Sequence, residues 1–342
     1  MNFKKIAVAV ALALGAPISA HAVLIDPDGA GPASAVNVGS LDWTQTSFLA
    51  QGGQTAIANF TSGACVATPS LCQFTILTMA NLGNFVATDG TTNIQNTGLG
   101  TNYQWTMVAS FTETVTGVLG DIATFSTVPS IPGNLEIFYD TNLNANALTG
   151  SGFNDGRLIL QGTAIQNASG NFQVTDSTPV PLDGFGANDY TGQNTVSGTG
   201  SNTSIGVGGL TTDPAFFLGA LSTFGISFQN VSIGLPYGTT DPSDCFQQGS
   251  TGTAVGSLAA GTPQCANIHV NGLMSANSPD VNGGYVPNIG VVNGLFGNTA
   301  PDFMAQTDFN SPLVARVPEP MTLGLLGIGL AAMGWSTRRK QR

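Results

Sequence analysis

Apolar and polar residues alternate with a period of two along much of this chain. Within 104–115, Trp105, Met107, Ala109, Phe111 and Val115 fall on one face, and Thr106, Ser110, Thr112 and Thr114 on the other. That period predicts a half-buried β-strand. The segments 122–128, 135–139, 157–165 and 172–175 repeat the pattern. Asn154-Asp155-Gly156 is a turn signal ahead of one of them, and 167–171 reads as a hairpin tip. Phe224, Ile226 and Phe228 alternate before the apolar phase slips to Val231 and Ile233, which predicts a β-bulge near Asn230. No body segment shows an equally clear helical period. The pattern predicts an all-β body, sandwich or jelly-roll-like, with long Gly/Asn/Thr/Ser-rich loops. Two stretches, 190–209 and 247–261, are almost wholly small and polar. The first is either a loop or an internal boundary between two β units.

The two ends depart from this pattern. Residues 1–22 have a basic start at Lys4-Lys5, an apolar core from Ile6 to Ala16, and Ala20-His21-Ala22 before Val23. That arrangement predicts a secretory signal peptide cut after Ala22, with an exported body over 23–312. The segment 313–342 holds Val317-Pro318-Glu319-Pro320, an uncharged run over 321–337, and Arg338, Arg339 and Lys340 in a basic end over 338–342. The run is near the lower limit of the roughly 17–25 residues that span a bilayer as a helix. It predicts one C-terminal hydrophobic helix, with its basic end held in the cytoplasm.

This tail resembles the PEP-CTERM sorting signal of Gram-negative bacteria. The resemblance rests on Pro318-Glu319-Pro320, the Gly/Leu-rich stretch from Leu323 to Leu330, and Arg338-Arg339-Lys340. It implies export through the Sec machinery and transient inner-membrane anchoring. It further implies recognition by a membrane-embedded exosortase and cleavage near the motif, leaving the body at the cell surface or in the extracellular matrix.

Charge narrows the partners. The formal net charge is −11, and all nineteen acidic residues except Glu319 lie between Asp26 and Asp308. The body has no lysine; Arg157 is its basic residue, and Arg316 follows just past its end. Nucleic-acid binding needs a basic footprint that this body lacks. An acidic polysaccharide would be repelled unless cations lay between. Hydrophobic residues make up 42% of the chain, too many for the highly charged, weakly apolar class that stays disordered.

Four cysteines, Cys65, Cys72, Cys245 and Cys265, suit two disulfides in an exported chain. Three pairings are open, and the simplest is local, 65–72 with 245–265. Their spacing does not match the close thiolate pairs of a zinc site.

Groups for catalysis are scarce. His269 is the one histidine after the signal peptide, and no G-x-S-x-G elbow occurs. Glu113 and Glu136 are the only body glutamates, and Glu113 falls on the apolar face of its strand. As a pair they would suit a glycosidase only at the right separation. The expectation is no enzyme. Asp140, Asn142 and Asn144 alternate as calcium ligands do, but Ala145 and Ser151 stand where an EF-hand loop wants glycine and glutamate. No cofactor is required, and calcium is the one metal this loop suggests. Asp26-Pro27-Asp28-Gly29 and Asp241-Pro242-Ser243-Asp244 read as turns. Trp43, Trp105 and tyrosines 103, 139, 190, 237 and 285 are the available sugar-stacking groups. Phase places Trp105 in the core, whereas Trp43 has an exposed-looking context.

The body also resembles the flocculation-associated subgroup of PEP-CTERM proteins. That likeness is carried by 135–139, 152–156, 158–163 and 302–309. It implies a structural or adhesive role in exopolysaccharide-associated aggregation and biofilm. A discrete carbohydrate-binding module is the alternative, and a polysaccharide hydrolase the third reading.

Overall fold

A computed structural model describes residues 23–131, 133–145, 152–162, 164–165, 168–181, 194–202, 205–230, 289–290 and 302–315. The first strands are β1 (Val23–Ile25), β2 (Val36–Val38), β3 (Ser40–Trp43), β4 (Thr46–Gln51), β5 (Gln73–Val86) and β6 (Gln104–Leu119). Next come β7 (Ile122–Thr127), β8 (Asn134–Asp140), β9 (Arg157–Gly162), β10 (Ala164–Ile165), β11 (Ser169–Pro181) and β12 (Asn194–Asn202). The last are β13 (Ile205–Gly208), β14 (Thr211–Thr212), β15 (Leu221–Asn230), β16 (Ile289–Gly290) and β17 (Asp302–Ala315).

The body is all-β, as its alternation predicts, and most of it is one sheet. Fifteen strands are joined by hydrogen bonds, while β1 and β2 form a separate ribbon. The large sheet curls until its pairings close on themselves. The circuit runs β6–β7–β11–β12–β15–β17–β4–β5 and back to β6. Long strands make this closure possible, because each serves different neighbours along its length. The first half of β6 pairs with β8 and its second half with β7, while its other edge pairs with β5.

The inner face of β6 is the one the sequence phase marked. Trp105, Met107, Ala109, Phe111 and Val115 all enter one core cluster, which runs from Val23 to Leu313. The outer face departs from a simple half-buried strand. Over 104–109 it is buried too, because Met79, Val108, Phe138 and Phe153 form a second small cluster there.

Several sequence expectations are corrected. A helix, α1 (Gly53–Ser62), lies between Gly52 and Gly63 and turns Ala56 and Ile57 into the core. An apolar seam that narrow does not announce a helix. The hairpin tip expected over 167–171 is strand from Ser169, and β11 pairs with β7 on one edge and β12 on the other. The polar stretch 190–209 contributes β12 and β13, both paired with β15. Backbone hydrogen bonds hold these strands although few apolar side chains mark them. The register of β15 is even from Thr223 to Asn230, and its irregularity falls at 221–223. Val231 and Ile233 lie outside the described residues.

Cys65 and Cys72 are joined, with Cα atoms 5.7 Å apart, across the two short 3-10 turns after α1. Cys245 and Cys265 lie outside the described residues, as do 1–22 and the hydrophobic run 321–337. Among the described residues no helix is long and apolar enough to cross a membrane.

Candidate functional site

The C-terminal strand places the tail. β17 pairs with β15 on one edge and with β4, then β3, on the other. Its last residue, Ala315, still pairs with Leu221. Val317-Pro318-Glu319-Pro320 therefore begins two residues beyond a strand gripped on both sides. Cutting the chain at or after that motif removes no residue of β17, so the sheet's hydrogen bonds survive processing. Residues 317–320 and Arg338, Arg339 and Lys340 lie outside the described residues, as do Ala20 and Ala22.

The aromatic residues proposed for sugar stacking are mostly core. Trp43 is 2% exposed, and its Nε1 donates to Ser311 Oγ at 2.9 Å. Its exposed-looking Gly/Ser/Thr context misleads because β3 is an interior strand, flanked by β17 and β5. Trp105 donates to the Pro27 carbonyl at 2.9 Å, and the Tyr103 hydroxyl to the Thr97 carbonyl at 2.8 Å. Tyr139 is half-buried, with its ring 5.2 Å from Tyr103 and 4.9 Å from Phe216. Tyr190, Tyr237, Tyr285 and His269 lie outside the described residues.

The two glutamates do not form a pair. Glu136 is the cross-strand partner of Val108, five residues along β6 from Glu113. At ~3.3 Å per residue the two are roughly 16 Å apart along the strand. An odd offset in a regular strand also puts them on opposite faces, Glu113 inward and Glu136 outward. A glycosidase needs its carboxyls about 5–9.5 Å apart on one cleft. Burial pushes each carboxyl up to about 7. These are separate buried acids, and each shift has desolvation as its cause.

An open polar cleft of about 470 Å³ lies over the end of β5, lined by Asn84, Gln95, Asn96, Thr97, Thr101 and Asn102 among others. Asn96 adopts a left-handed conformation, with φ 61°. The backbone of 93–94 pairs back onto Val86 and Phe85, which fixes the wall. Amide and hydroxyl groups without a charged residue can exchange hydrogen bonds with a neutral sugar. Sequence reasoning missed this cleft; the Asn/Thr/Gly run over 96–102 was the available signal.

The loop after β8 is built differently from an alternating ligand loop. Asp140 Oδ1 accepts the Asn142 backbone N–H at 2.8 Å, closing an Asx turn. The Asn144 side chain accepts from Gln104 Nε2 at 3.0 Å and donates to Asp155 Oδ2 at 2.8 Å. Asn144 thus ties the 140–145 arm to the 152–156 arm, and Gln104 and Asp155 are members that the sequence reading did not include. Among the described residues no three His, Cys, Asp or Glu side chains converge as a metal cluster.

These features define an all-β body with a neutral polar cleft, followed in sequence by the C-terminal segment. Residues 316–340 match the family model of the PEP-CTERM protein-sorting motif. No curated protein and no solved structure matches the chain. The motif marks an exported protein targeted to exosortase through a C-terminal sorting signal that transits the membrane.

Proposed function

We propose that the body is a structural and adhesive component of an exopolysaccharide-associated matrix, delivered by exosortase processing and retained at the cell surface or in the matrix. The sorting motif directly behind β17 carries this reading, because it targets a folded, acidic, lysine-free domain for export, and release of that domain is the step this reading adds. The body acts without catalysis; its two glutamates are separate, and its role is to hold polymer or neighbouring cells. The Cys65–Cys72 link suits an oxidising compartment. The test is quantitative settling of cells lacking the gene, with complementation. Cells that stay dispersed while polysaccharide is still made, and that settle again on complementation, support adhesion. Unchanged settling overturns it.

The cleft beside Asn84 and Asn96 favours a second reading, a module that recognises one neutral glycan. Saturable binding of the purified protein to a single polymer, lost on Asn102→Ala but kept in Trp43→Phe, would distinguish recognition in this cleft from bulk adhesion.

A further inference from the structure

We propose that the junction of the 140–145 and 152–156 arms binds a hard divalent cation, calcium by its ligand chemistry, through Asp140 Oδ2 and Asp155 Oδ1. Asp140 is 8% exposed. One of its oxygens is committed to the Asx turn; Oδ2 is buried and has no donor. Asp155 repeats the arrangement, with Oδ2 held by Asn144 and Oδ1 buried without a donor. Two neighbouring carboxylates thus each keep one buried oxygen unsatisfied, which is costly for charged groups.

The arms are pressed together where this happens. A Cβ on Gly156 would lie 2.9 Å from the Asp140 Cβ, and one on Gly152 would lie 2.5 Å from the Asn144 carbonyl oxygen. Gln104 clamps both arms, donating to Asn144 Oδ1 and to the Gly152 carbonyl and accepting from the Ala145 N–H. Phe153, 2% exposed, plugs the outer cluster beside them. The carboxylates are therefore fixed rather than free to turn to water.

Among the described residues no basic group is free to neutralise them. Arg157, the basic residue within the described body, is paired with Asp213 and stacked over Phe216. A cation bridging the two arms would satisfy both oxygens at once. Calcium accepts six to eight oxygens in irregular geometry, so amide, backbone and water oxygens can complete a site with two carboxylates. Magnesium's strict octahedron fits such a set less well. Two carboxylates place the affinity with weak extracellular sites, at about 10⁻⁴–10⁻³ M.

The test uses the full chain, purified in detergent and stripped with chelator. Terbium is the first probe, because Tyr139 adjoins Asp140 and can sensitise its emission. Saturable emission that calcium displaces, and that falls at least tenfold in Asp140→Asn and in Asp155→Asn but not in Asp89→Asn, is expected. Thermal unfolding is the second readout. Calcium at about ten times its dissociation constant should raise the wild-type midpoint by about 2–5 °C. In chelator, Asp155→Asn should unfold at a higher temperature than wild type, because it removes one of two unneutralised charges. Emission equal in all three variants, or a wild-type midpoint indifferent to calcium, overturns the proposal.

Discussion

The inner face of β6 and the patch built over its outer face differ in how the polar ends of their most buried side chains are met. Inside, the three fully buried aromatics with a polar end each have a partner: Trp43 has Ser311, Trp105 has Pro27 and Tyr103 has Thr97. Outside, Phe153 is buried as completely as those residues, yet Asp140 and Asp155 beside it each keep a donorless oxygen. Leaving a charge unpaired costs more than leaving an indole N–H unpaired. The contrast is therefore not one of loose against tight packing. On the inner face the indole N–H groups of Trp43 and Trp105 and the Tyr103 hydroxyl are matched within the chain, whereas the outer patch leaves two carboxylate oxygens without a donor.

The largest expected effect breaks the inner face. Trp105→Ala removes a side chain packed against Phe85, Phe216 and Phe217 and strands the Pro27 carbonyl. A loss of about 3–5 kcal/mol in chemical denaturation is expected.

The glutamates sharpen the comparison through pH, since one lies on each face. Burial raises both from 4.5 to about 7. Between those values the folded state holds protons that the unfolded state has released, so the contribution of these two groups to stability is fully present below about pH 4.5 and is lost as pH rises through 7. The fall is on the order of 3 kcal/mol for each group by linkage. Glu113→Gln and Glu136→Gln should each remove one share of it, read from denaturation curves at pH 4.5 and 8.

A smaller effect follows at the turns after α1. Cys65 and Cys72 close a loop with a sequence separation of seven. Replacing both with serine should cost about 2 kcal/mol, measured by thermal unfolding with and without reductant. The smallest test is a cycle at Trp43. Trp43→Phe leaves Ser311 Oγ without its donor and should cost about 1 kcal/mol beyond lost packing; adding Ser311→Ala should recover most of that part.

How much of this was legible in the sequence follows from which force fixes each element. β6 was legible because a core on one side imposes a period of two, and Trp105 through Val115 keep it. β12 was not, since Thr, Gly, Ser and Asn are held there by backbone pairing with β11 and β15. Trp43 misled because local composition does not reveal that β17, some 270 residues later in sequence, covers it. The sorting tail was legible because its residues act as a linear signal. The outer patch was half legible: Asp140 and Asn144 announced a ligand-like loop, while Asp155 and Gln104 join it only through folding.

The most direct measurement is the intact mass of the protein recovered from the extracellular matrix fraction of growing cells. The expected species begins at Val23, ends near Val317-Pro318-Glu319-Pro320 and is two mass units lighter for each disulfide. Full-length chain confined to the inner membrane, with its tail attached and none in the matrix, would contradict release into the matrix.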